Sequence, residues 1–283
     1  MPYANPQSLV STAWLAARLG EPALVVVDAT YFLPMQGRDA RQEYEQRHIP
    51  GAVFFDIDAI ADKASPLPHM LPDARAFAAA VGGLGIGNDS RIVVYDAHGM
   101  MSAARAWWTL RVFGHQAVAL LDGGLPKWLA EGRPIEAGAA RPAPRAYVAR
   151  LDPSQVRDKA AIRANITAKR EQVVDARAAG RFAGTEPEVW PGRRPGHIPG
   201  SLNLPFTDLL EAQSRTFLPP EAIAARFRAA GADLARPVVA SCGSGVTAAV
   251  LAFALHLIGH REVALYDGSW AEWGLPGDTP VEP

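Results

Sequence analysis

The chain repeats itself, so whatever fold it adopts must be built twice. Residues 93–128 laid on residues 238–273, without gaps, match at 13 of 36 positions. The identities cluster: Val93-Val94 falls on Val238-Val239, Ala103-Ala104 on Ala248-Ala249, Gly114-His115 on Gly259-His260, Asp122-Gly123 on Asp267-Gly268, and Trp128 on Trp273. Upstream, Val26-Val27-Asp28 pairs with Val173-Val174-Asp175, and His48-Ile49-Pro50-Gly51 with His197-Ile198-Pro199-Gly200. Self-similarity on this scale means two copies of one domain plan.

A length of 283 residues accommodates two domains of ordinary size. Between the copies, residues 133–153 carry Pro134, Pro142, Pro144 and Pro153 with little apolar periodicity, as a linker would. The sequence therefore predicts an N-terminal domain over 1–137, a linker over 138–158 and a C-terminal domain over 159–283. Within each half, short β-branched runs alternate with Ala/Leu-rich helical stretches. Residues 24–27, 92–95 and 118–121 read as buried strands of the first half; 172–174, 237–240 and 263–266 read as those of the second. Such alternation predicts an α/β class with two tandem domains, each a mainly parallel sheet with helices on both faces. Ligands of such sheets bind at the carboxyl ends of the strands.

Charge and hydropathy close off other classes. With 28 Lys and Arg against 29 Asp and Glu, and no run of like charges, nothing suggests a nucleic-acid partner. The most apolar stretch, residues 246–258, is broken by Thr247 and His256 and falls short of the roughly 20 residues that cross a bilayer. The start, Met1-Pro2-Tyr3-Ala4-Asn5-Pro6, lacks the basic flank and apolar core of a secretory signal, so a cytoplasmic location is expected.

Cys242 is the single cysteine, which excludes an intramolecular disulfide and a multi-cysteine metal site. It lies in Ser241-Cys242-Gly243-Ser244-Gly245-Val246-Thr247, between a predicted strand and a predicted helix. Two glycines within four residues let the backbone curl so that successive N–H groups face the sulfur, and the oncoming helix adds its positive end. Both effects favour the thiolate, so Cys242 is predicted to be a reactive nucleophile rather than a small buried hydrophobe. In the first half Ala97 falls opposite Cys242, and His98-Gly99-Met100-Met101 replaces the loop. That half is expected to be catalytically silent. A cysteine phosphatase would share the strand-loop-helix cradle but needs an arginine six positions after its cysteine, where this chain has Ala248. His48, His197, His115, His260, Asp122 and Asp267 recur in both halves and are read as structural.

The loop Cys242-Gly243-Ser244-Gly245-Val246-Thr247 resembles the active-site loop of the 3-mercaptopyruvate sulfurtransferases, within the rhodanese superfamily. The resemblance extends over nearly the whole chain through the His-Ile-Pro-Gly segments and the Asp-Gly…Trp endings. It implies sulfur transfer from 3-mercaptopyruvate through a Cys242 persulfide to a thiol, cyanide or thioredoxin-type acceptor, with pyruvate released and no metal or organic cofactor. It implies that Arg181 binds the substrate carboxylate, and that Gly243, Gly245, Val246 and Thr247 supply the loop amides around the substrate. It also implies a relay of Asp58, His69 and Ser244 that protonates the leaving enolate. A second family arginine, expected soon after a Glu-Pro pair, is missing after Glu186-Pro187, with Arg193 and Arg194 as nearby substitutes. Rhodaneses that prefer thiosulfate, a dianion, differ in having Arg and Lys directly after the cysteine. Thiosulfate:cyanide sulfurtransferase is therefore the alternative enzyme, and a non-catalytic rhodanese-like binding module the remote one.

Overall fold

The structure, a computed structural model, describes residues 2–283. The first half contributes strands β1 (Leu9–Val10), β2 (Leu24–Asp28), β3 (Val53–Phe54), β4 (Arg91–Tyr95) and β5 (Val118–Leu121). The second contributes β6 (Val156–Arg157), β7 (Gln172–Asp175), β8 (Leu202–Asn203), β9 (Val238–Ser241) and β10 (Val263–Tyr266). They form two wholly parallel sheets with the same order, β1-β5-β4-β2-β3 and β6-β10-β9-β7-β8. The predicted fold class is the observed one. The central strands are runs of valine, isoleucine and leucine because helices cover both of their faces, leaving no polar side for alternation to mark.

Two helices join the halves. α1 (Ala103–Val112) follows β4, and α2 (Ala248–Leu257) follows β9. All of α1 but Arg111 and all of α2 but His256 is buried. Helices so apolar around their circumference require cover on every side, and each covers the other. Trp107 of α1 meets Phe253 of α2 edge to face at 4.8 Å, and one core cluster takes in buried residues of both sheets. The N-terminal segment also crosses over. Tyr3 donates to the Leu218 carbonyl at 2.8 Å, the Ala4 amide to that of Leu257 at 2.8 Å, and the Asn5 side chain to that of His256 at 2.7 Å. No described helix is long and apolar enough to cross a membrane.

The chain crosses between sheets earlier than the linker reading of 138–158 implies. Val156–Arg157 is already the edge strand of the second sheet, paired with β10. Two residues are too few to leave a periodic signal. The linker's earlier part lies along the first half, where Arg145 donates to the Gly82 carbonyl and Asp152 to that of Val112.

The repeated carboxyl ends of β2 and β7 differ in what meets the carboxylate. Asp28 and Asp175 accept from the amide two residues on, Thr30 and Arg177, each at 2.9 Å. Arg177 then folds its guanidinium back onto Asp175 at 2.7 Å, whereas Thr30 brings no charge to Asp28. Burial pushes the Asp28 carboxyl up to about 6, against hydrogen bonds from Thr30 and Tyr95 that hold it down. A carboxyl raised on folding stabilises the fold while protonated, fully so below its unfolded value near 4, and that contribution is lost as pH rises through about 6. Asp28→Asn is therefore expected to gain on the parent by about 2–3 kcal/mol between pH 4 and pH 7.5 in urea denaturation, two pKa units being worth that much. A difference that does not change with pH would refute this.

Candidate active site

Cys242 follows β9 directly and its side chain is almost wholly buried, at 1% exposure, on the floor of a narrow cleft. The cleft measures about 60 Å³ and is shared between the halves. Tyr31, Leu33 and Met101 come from the first, and Arg181, Trp190 and the loop from the second. The Cys242 amide donates to Ser269 Oγ at 3.2 Å, and the Cys242 and Gly243 carbonyls accept from Trp270 and Ala271 at 2.9 and 2.7 Å. These bonds commit the two carbonyls to the buried backbone at Trp270 and Ala271. Among the described residues, the amides of Gly243, Ser244, Gly245, Val246 and Thr247 donate to no other protein group. They precede the first turn of α2, where amides are left unpaired by helix geometry and the helix end is positive. The cradle anticipated from two glycines is a set of uncommitted donors at a buried sulfur.

The predicted relay residues come together across the halves. His69 Nδ1 lies 3.0 Å from Ser244 Oγ, and His69 Nε2 lies 3.2 Å from Asp58 Oδ1. His69 beside it holds Asp58 below the ordinary carboxylate range. The charge of Asp58 beside Nε2 favours the tautomer with its proton there, which leaves Nδ1 to accept the Ser244 hydroxyl. Tyr31 and Trp190 pack edge-on against the imidazole, with centroids at 4.7 and 5.7 Å, and fix its plane. The imidazole is shut in behind Ser244, while the carboxylate of Asp58 faces solvent.

Of the other predicted residues, Gly243, Val246 and Thr247 line the cleft with Cys242 and Ser244. Gly245 does not: its φ of +79° makes the turn, and a Cβ there would come within 2.8 Å of Arg105 Nη1. Arg181 lines the cleft with its Nη2 paired to Glu188 at 2.6 Å and its Nε buried without a partner. A Cβ at position 243 would approach Arg181 Nη2 to 3.0 Å, so Gly243 is what lets the guanidinium lie on the loop. Neither substitute for the second arginine reaches the cleft. Arg193 donates to the carbonyls of Ala271 and Pro191, and Arg194 to Thr279 and Trp273. The position after Glu186-Pro187 is held by Glu188, buried between Arg177 and Arg181.

Arg105 and Asp267 complete the arrangement. Arg105 Nη2 donates to Asp267 Oδ1 at 2.7 Å and to the His69 carbonyl at 2.5 Å, while Nη1 reaches the Gly245 carbonyl at 3.3 Å. Asp267 Oδ2 accepts the Leu71 amide at 2.8 Å. One ion pair, buried on both sides, thus ties the His69 loop to the cysteine loop and holds His69 at a left-handed φ of 61°. Sequence reasoning missed Arg105. Its signal was a lone charge in the apolar run Ala103-Ala104-Arg105-Ala106-Trp107-Trp108, opposite Val250 in the other copy. Reading Asp267 as structural agrees with this position. Among the described residues no group of three or more His, Cys, Asp and Glu gathers as metal ligands would.

A buried thiol that opens a loop of uncommitted amides at the carboxyl end of a parallel sheet, in the second of two like domains, defines a class of cysteine sulfurtransferases. The chain belongs to the rhodanese family: the rhodanese-like domain matches residues 11–131 and 158–275. It is 50% identical over 280 residues to human 3-mercaptopyruvate sulfurtransferase, covering 95% of this chain and 94% of that one. It is 46% identical over 274 residues to bovine thiosulfate sulfurtransferase, covering 94% and 92%. Among solved structures it superposes on SseA from Escherichia coli, described as a 3-mercaptopyruvate sulfotransferase, with a TM-score of 0.86 and 40% identity, covering 94% of this chain and 99% of that one.

Replacing Arg105 by methionine leaves Asp267 buried without its cation. Loss of about 3–5 kcal/mol is expected in chemical denaturation, the usual cost of breaking a buried pair from one side. The double variant Arg105→Met/Asp267→Leu is expected to recover much of that stability but not the turnover, because His69 is no longer held.

Proposed function

We propose that this chain is a 3-mercaptopyruvate sulfurtransferase working through a persulfide on Cys242. The observation that carries the reading is the neutral loop Gly243-Ser244 beside a buried thiol with five uncommitted amides. The thiolate attacks the substrate sulfur. An S–S bond forms as the sulfur–carbon bond breaks, and the electron pair of that bond passes to the pyruvate enolate. The proton lost from the substrate thiol is returned to the enolate carbon, so that pyruvate departs and the outer sulfur stays anionic. Ser244 stands where it can carry that proton, with His69 accepting from its hydroxyl and Asp58 holding the ring's tautomer. Loop amides stabilise the anionic outer sulfur, as preorganised donors do for any charge that develops beside them. Arg181 receives the carboxylate through the guanidinium edge not taken by Glu188.

A nucleophilic acceptor then removes the outer sulfur and regenerates the thiolate. A small thiol, cyanide or a thioredoxin-type protein fits this step chemically, and a reducing compartment such as the cytoplasm suits an enzyme with a free working thiol. A cleft this narrow favours a small donor over bulky ones. Thiosulfate remains the competing donor. Gly243 places no charge where a dianion would bind, and a longer side chain there meets Arg181.

Intact-protein mass spectrometry after 3-mercaptopyruvate is expected to show a gain of about 32 Da on Cys242. Cys242→Ser is expected to abolish both that adduct and pyruvate release; pyruvate formed by the serine variant would sink the scheme. Ser244→Ala and His69→Gln are expected to lower kcat by about 10²-fold, a usual size for lost proton transfer. The double variant Gly243→Arg/Ser244→Lys is expected to shift the ratio of kcat/KM values toward thiosulfate by about tenfold or more, as steady-state assays with both donors would show.

A further inference from the structure

Trp190 lines the cysteine cleft, and its packing on His69 leaves the polar atom of the indole unused. Among the described residues that N–H donates to no protein group, and unlike the Nε of Arg181 it is not shut away from solvent. Gly243 shows where it stands. A Cβ at position 243 would have Arg181 Nη2 at 3.0 Å and Trp190 Nε1 at 3.7 Å as its nearest neighbours. Tyr31 and Thr247 bring hydroxyls to the same cleft, but the atoms that overlook the bare Cα of Gly243 belong to Arg181 and Trp190. Hydrogen bonds keep the indole in place. Arg193 donates to the Pro191 carbonyl at 2.8 Å and to the Ala271 carbonyl at 2.9 Å, while the Ala271 amide donates to the Gly243 carbonyl at 2.7 Å. The segment carrying Trp190 is thus tied, through Ala271, to the residue that the indole overlooks.

Charge balance gives a second N–H its importance. Arg181 shares the buried Glu188 with Arg177, and Arg177 is also bound to Asp175, so two guanidinium groups meet two carboxylates before any substrate arrives. An incoming carboxylate therefore meets a neutral cluster and is held chiefly by directed hydrogen bonds. Nη2 of Arg181 keeps one hydrogen beyond its bond to Glu188, and an indole N–H donates without presenting a lone pair to the anion. We propose that Trp190 is a substrate-positioning residue, whose indole N–H binds the carboxylate of the sulfur donor above Gly243 together with Arg181. This role rests on the reading of the chain as a 3-mercaptopyruvate sulfurtransferase and goes further in naming a neutral second partner for the carboxylate. One rigid ring thereby sets the substrate against the relay imidazole.

Trp190→Phe keeps an aromatic ring beside His69 and removes the N–H. In steady-state assays with 3-mercaptopyruvate it is expected to raise KM about tenfold and to leave kcat within about twofold, the mark of an interaction made equally in ground and transition states. Gly243→Ala puts a methyl group between the two nitrogens and is expected to raise KM as well. The double variant is expected to be little worse than Gly243→Ala alone, because the N–H then has no carboxylate to hold. A gain of about 32 Da on Cys242 in Trp190→Phe at saturating substrate certifies its fold and its first half-reaction. Unchanged KM in Trp190→Phe, a fall in kcat with KM unaltered, loss of the mass gain, or independent effects in the double variant would each overturn the role of the indole N–H. Failure of the parent chain to release pyruvate or to gain that mass would instead remove the sulfurtransferase reading itself, so the two failures are distinct.

Discussion

The pairing of Arg105 with Asp267 is the constraint on which the catalytic arrangement rests. Each half alone has only part of a site: the second holds the sulfur and its amides, and the first holds the imidazole and carboxylate. The guanidinium reaches from α1 into the second half and touches Asp267 and the carbonyls of His69 and Gly245 at once. Removed from water, such a pair adds little net stability, but it penalises every arrangement in which the two loops do not meet. Its role here is registration. Asp122 does a similar service from the first copy, where it accepts the Phe217 amide of the second.

Duplication on one scaffold shows which features belong to the fold and which to the chemistry. The strand order, the Asx turn after the second strand of each sheet and the bridge made by each His-Ile-Pro-Gly segment occur twice. The cysteine loop occurs once. His48 and His197 give their rings to the carbonyls of Tyr44 and Phe182, and so belong to the fold. The pair Arg177–Glu188 occurs only in the second half, where it braces Arg181 beside the cleft.

Much of this was legible in the sequence because long buried strands and a glycine-rich loop leave dense local signals. The runs at 24–27, 92–95, 118–121 and 263–266 fall on strands to within a residue. β1, β3, β6 and β8 have two residues each and left no pattern, which is why the domain crossing at Val156 went unseen. Cys242, Ser244, His69 and Asp58 could be named from motifs, but their separations are tertiary facts that no spacing states. Arg105 and Glu188 were hidden for a different reason. A buried charge is recognised by its partner, and the partners lie 162 positions from Arg105 and, across a stretch with no regular element, 7 and 11 from Glu188.

The clasp formed by Tyr3, Ala4 and Asn5 bears on how the molecule is made. Asn5 and its acceptor at His256 are 251 positions apart. Until the second domain has folded, the first must therefore wait with the apolar face of α1 uncovered and Tyr3, Ala4 and Asn5 undocked. Closing the clasp spans 251 positions, slow by topology and exposed to misassociation until α2 arrives.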